Sequence, residues 1–92
     1  MSRPESAAAR VMAATAYLAG GDFWDFHIYG TEASGFVAKV HTTERVAAKV
    51  ADRFEAGAPF VVSREALTTM TRTAAVDGLH VEIVSTGAGV AA

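Results

Sequence analysis

Two stretches in the first half of the chain alternate apolar and polar residues with a period of two, and only a short loop separates them. In 23–30, Trp24, Phe26 and Ile28 share one face while Asp25, His27 and Tyr29 share the other. In 36–42, Phe36, Ala38 and Val40 oppose Val37, Lys39 and His41. The segment Thr31-Glu32-Ala33-Ser34-Gly35 between them has a length and a glycine that suit a hairpin loop. The pattern therefore predicts an antiparallel hairpin, and matching its apolar faces pairs Ile28 with Ala38. The same register sets Asp25 opposite His41 and His27 opposite Lys39, all on the face away from Trp24.

Helical spacing flanks this hairpin. Ser2 and Glu5 stand at capping-box distance, and Pro4 suits a first turn. Ala8, Val11, Met12, Thr15, Leu18 and Ala19 then recur at helical intervals until Gly20-Gly21, which predicts a helix over about Arg3–Ala19. After the hairpin, Thr43 is positioned to cap a second helix with the stripe Val46, Ala47, Val50, Ala51 and Phe54, and Gly57 is its expected stop. Phe60-Val61-Val62, with no polar alternation, reads as a short strand covered on both faces.

Residues 63–78 fit two patterns. Ser63 could cap a third helix whose stripe is Leu67, Met70, Thr71 and Ala74. Alternatively, Asp77-Gly78 forms a type I′ turn and Thr69, Thr71 and Thr73 mark a strand, making 69–85 a C-terminal hairpin. The longer agreement favours the helix. In the last strand Leu79, Val81 and Ile83 point inward and His80 and Glu82 outward. The expectation is an α+β fold of order α-β-β-α-β-α-β: a four-stranded mixed sheet with an N-terminal antiparallel hairpin and helices packed on it. Residues 1–86 form one domain and 87–92 a flexible tail.

A chain of 92 residues without cysteine has a thin stability margin and no disulfide to widen it, which makes self-association into a homodimer an expectation. Eight basic residues stand against ten acidic ones, four and five in each half, so no basic tail draws the chain to nucleic acid. Asn and Gln are both absent, which removes the bidentate contact to adenine. No stretch reaches the roughly 20 apolar residues of a membrane span, and the default location is cytoplasmic.

Asp25, His27, Lys39 and His41 form a candidate polar cluster, since neighbouring carboxylates and imidazoles can exchange protons near neutral pH. Cross-strand charge pairing on a solvated face explains the same residues more simply. Arg45, Lys49 and Arg53 recur every fourth residue as a basic ridge, to which Arg64 or Arg72 could add, but Glu44, Asp52 and Glu55 dilute its field. Phe23, Tyr29 and Val37 add apolar surface to the polar side of the hairpin. The run from Gly87 looks superficially like a dinucleotide-binding turn, but no helix follows it.

No Ser-His-Asp spacing, P-loop, zinc spacing or paired carboxylates points to a named enzyme class, a cofactor or a metal. The leading expectation is therefore a non-enzymatic regulator or inhibitor, of the kind common among phages and mobile elements. It would bind another protein through its aromatic-rich hairpin or a sheet edge. A nucleic-acid accessory protein using the basic ridge and a small enzyme using Asp25, His27 and His41 are the alternatives.

Overall fold

A computed structural model describes residues 3–88. Two helices and five strands follow in the order α1 (Arg3–Ala19), β1 (Trp24–Thr31), β2 (Gly35–Thr42), α2 (Glu44–Arg53), β3 (Phe60–Arg64), β4 (Leu67–Val76) and β5 (Leu79–Ala88). The strands form a single sheet ordered β1-β2-β5-β4-β3. It is mixed, because β5 runs parallel to β2 and antiparallel to β4.

Both helices lie on one face of this sheet. α1 contributes Ala7, Ala8, Val11 and Ala19, and α2 contributes Val46, Ala47, Val50 and Ala51, to a core shared with Ala38, Val40, Ala74, Val76, Leu79, Val81 and Ile83. The small residues of α1 let its backbone approach the sheet closely. Thr15 is also buried, and its hydroxyl is satisfied by donating to the Val11 carbonyl at 2.8 Å. Thr43 caps α2 by accepting from the Val46 N–H at 3.3 Å. Ser2, the residue predicted to cap α1, lies outside the described residues.

The first hairpin has the expected register, with Ile28 opposite Ala38, Asp25 opposite His41 and His27 opposite Lys39. Ser34 and Thr31 close its loop by exchanging backbone-to-hydroxyl hydrogen bonds of 3.0 Å. Gly30, at φ 113°, is required there, since a Cβ would sit 2.1 Å from the Gly35 carbonyl oxygen. Ile28, expected in the core, is half exposed and lines an open groove between α1 and β1 with Ala8, Met12 and Phe26.

Four further expectations are corrected. Residues 67–76 form β4 rather than a third helix, so the sheet has five strands, and the hairpin reading of 69–85 is the one that matches. Asp77 (φ 48°) and Gly78 (φ 82°) make the I′-type turn it required. α2 ends at Arg53 with Glu55 in a left-handed conformation (φ 55°), short of Gly57. β3 is exposed along all five residues, because it is an edge strand beyond the helical layer and not a covered one. Gly87 and Ala88 belong to β5 rather than to a tail, while 89–92 lie outside the described residues.

The apolar side of β4 contains one charged residue. Arg72 is 9% exposed and lies on the helix side of the sheet between Met70 and Ala74. Glu44, the first residue of α2, receives two 2.8 Å hydrogen bonds from its guanidinium and a third of 2.7 Å from the Ser85 hydroxyl. The bidentate pair ties the start of α2 to β4 and β5.

Candidate functional site

With both helices on one side, the opposite face of the sheet has no layer over it among the described residues. Strand pairing arranges that face in rows. Tyr29, Val37, His80 and Ala75 make one; His27, Lys39, Glu82 and Thr73 the next; Asp25, His41, Val84, Thr71 and Phe60 a third. The candidate polar cluster occupies the β1–β2 end of this surface.

The four residues share the face without forming one network. The His27 Nε2 lies 2.9 Å from a carboxylate oxygen of Asp25, and both side chains are more than half exposed. His41 turns away, with its Nε2 3.3 Å from the Thr86 hydroxyl and its ring edge-on to Phe23 at 5.8 Å. Lys39 makes no ion pair among the described residues. No group of three or more His, Asp or Glu side chains converges as metal ligands among the described residues. Asp25 and His27 stand on an open surface and not in a cleft of the kind that holds acid/base sites.

Asp25 has a different use. Its other carboxylate oxygen accepts the backbone N–H of Phe26 at 2.8 Å. This hydrogen bond, with help from His27, holds the Asp25 carboxyl below its ordinary range. β1 is the outermost strand on its side, so the carboxylate blocks an N–H that an added strand would need.

Sequence reasoning did not bring Glu82 and Thr86 to this face, because they arrive through the parallel pairing of β2 with β5. The outward alternation of His80 and Glu82 was the available signal. The Tyr29 hydroxyl donates to Glu82 at 3.0 Å, and this bond to a carboxylate raises the phenol above its ordinary range.

The basic ridge is divided. Arg45 is paired with Asp22, and Arg72 is buried against Glu44 on the other side of the sheet from solvent. Lys49 is exposed, and Arg53 lines a groove of ≈ 570 Å³ between the helices with Arg10, Tyr17 and Phe54. Arg10 is itself paired with Asp77 at 2.7 Å.

The second sheet edge is unlike the first. β3 presents Phe60, Val61 and Val62 as exposed large apolar residues, Phe60 at 71%. Leu67, across the turn from Arg64, is also exposed. Ser63 is engaged with Thr68 on the neighbouring strand at 3.1 Å. Among the described residues no side chain hydrogen-bonds to the backbone of β3, and the strand holds no proline, lysine or acidic residue. Its one charge, Arg64, stands at the turn end, so Phe60 to Val62 carry none of the charges or prolines that keep edge strands from pairing.

The chain matches no known family model, no curated protein and no solved structure. No helix among the described residues is long and apolar enough to cross a membrane.

Proposed function

We propose that this protein is a non-enzymatic interaction module that associates by strand addition at its β3 edge. The observation that carries this reading is the contrast between the two edges. β1 has a carboxylate on a backbone N–H, whereas β3 is exposed throughout and apolar over Phe60 to Val62. Strand addition draws its affinity from main-chain hydrogen bonds and its selectivity from alternate side chains. On β3 those side chains are Phe60, Val62 and Arg64 on the open side and Val61 and Ser63 on the helix side. The aromatic-rich β1–β2 hairpin serves as the rigid scaffold rather than the docking strand.

Nucleic-acid binding is the weaker reading because two of its arginines are committed to carboxylates. An enzymatic role is weaker because Asp25 and His27 stand on a flat, solvated surface.

The test is affinity capture from source-cell lysate, with nuclease, using the tagged chain and its Val62→Lys variant. A stoichiometric protein, whether foreign or an untagged copy, should be retained by the first and lost by the second. Capture that survives Val62→Lys, or that vanishes with nuclease, would overturn the reading.

A further inference from the structure

We infer that the strand received by β3 is the β3 of a second copy of this chain, paired antiparallel about a two-fold axis through Val62. The inference rests on the edge-pairing reading above and names the partner.

The argument begins with register. Paired residues of an antiparallel ladder point to the same face, so two copies of β3 related by a two-fold axis pair positions of equal parity. Centring the axis on Val62 is the choice that uses the whole strand. Val62 meets Val62 of the second copy, Val61 meets Ser63, and Phe60 meets Arg64. The central and terminal contacts are chemically compatible: apolar on apolar at Val62, and a guanidinium over an aromatic ring at both ends, while the Ser63 hydroxyl beside Val61 is already satisfied by Thr68. The two Arg64 side chains stand four residues apart along the ladder. At about 3.4 Å per residue this separates them by more than a Debye length of about 8–10 Å, so like charges do not oppose the pairing.

Steric clearance favours the same arrangement. The helices pack over the core that β1, β2, β5 and the inner part of β4 share, while the five β3 residues are all exposed. A two-fold axis perpendicular to the sheet leaves both helical layers on one side and separated by the paired edges. A single unguarded edge also explains how association stops. One antiparallel contact consumes it, and the β1 edges at the far ends carry the Asp25 carboxylate. The product is a closed dimer with one continuous sheet and not a fibre.

The purified chain, which has no cysteine of its own, permits a direct test. Its mass by light scattering should rise from 9.6 kDa toward twice that value as concentration increases, and Val62→Lys should hold it at the lower mass. Val62→Cys should form a disulfide-linked dimer on mild oxidation, since directly paired Cα atoms lie about 4.5–5.5 Å apart. Ser63→Cys, whose counterpart is diagonal at about 7–8 Å, should cross-link at least several-fold more slowly.

A monomer at every concentration up to about 1 mM, with no preference for Val62→Cys, would overturn the dimer. The edge reading would then stand only if Val62→Lys still abolished capture of a foreign protein. A dimer indifferent to Val62→Lys and to the cysteine position would remove both.

Discussion

Glu44 and Arg72 meet through two hydrogen bonds of 2.8 Å, joining the first turn of α2 to a strand that is distant in sequence. Arg72 is buried while the Glu44 side chain is half exposed, so the two ends of the pair are not equivalent. Glu44→Ala strands a buried guanidinium and should cost about 2 kcal/mol, read from the urea midpoint. Replacing both residues, as Glu44→Leu with Arg72→Met, should recover most of that loss.

The same pair sets a pH dependence. Arg72, then Ser85, hold the Glu44 carboxyl below its ordinary value of 4.5 despite partial burial. A depressed folded-state pKa means that the carboxylate's contribution is complete above the ordinary value and is lost as pH falls through the lower, folded one. Acid titration of stability should therefore show a loss below pH 4.5 that is missing when Glu44→Leu and Arg72→Met are combined.

Asp25 should act as an edge guard rather than as an acid or base. Asp25→Ala frees the Phe26 N–H, and the expected result is a folded protein that aggregates progressively, followed by static light scattering with circular dichroism as the control. Because its carboxyl is held low by Phe26 and then His27, wild-type protein should keep the guard until the pH falls below the ordinary 3.8. An Asp25→Ala variant as free of aggregation as wild type would remove this role.

Gly30 tolerates no side chain. Gly30→Ala places a Cβ against the Gly35 carbonyl at a positive φ, and should destabilise by about 2–3 kcal/mol in chemical denaturation.

The turn between β3 and β4 is the converse case. Glu65 holds φ 52° without being glycine, so Glu65→Gly should raise stability by up to about 1 kcal/mol, seen as a higher thermal midpoint.

The uneven legibility of the sequence has local causes. The β1–β2 hairpin could be read to its register because no residue between Trp24 and Val40 interrupts the alternation of its inward face. β4 could not, because Arg72 takes an inward place between Met70 and Ala74. With that place filled by a charge, Leu67, Met70, Thr71 and Ala74 fall at helical spacing instead. Glu44, far away in sequence, makes the arginine acceptable there.

The Glu65-Ala66 turn hid for a related reason, since it contains none of the residues that mark turns. The apolar run of β3 was legible as a strand, but whether such a run is covered or bare depends on the strand order. The polar cluster was half legible. Its four members follow from the hairpin register, whereas Glu82 and Thr86 come from a parallel pairing that no local pattern encodes.

β5 lies at the centre of the sheet, yet it is the last of the described elements along the chain. Synthesis runs from the other end, so a ribosome delivers the β1–β2 hairpin, α2 and the β3–β4 pair before the strand that joins them exists. Until then the inner edges of β2 and β4 are as open as the outer edge of β3, and α2 lacks the strand it packs on most. Closure of the core must wait for Leu79, Val81 and Ile83, which makes the nascent chain, rather than the finished one, the form most in need of protection.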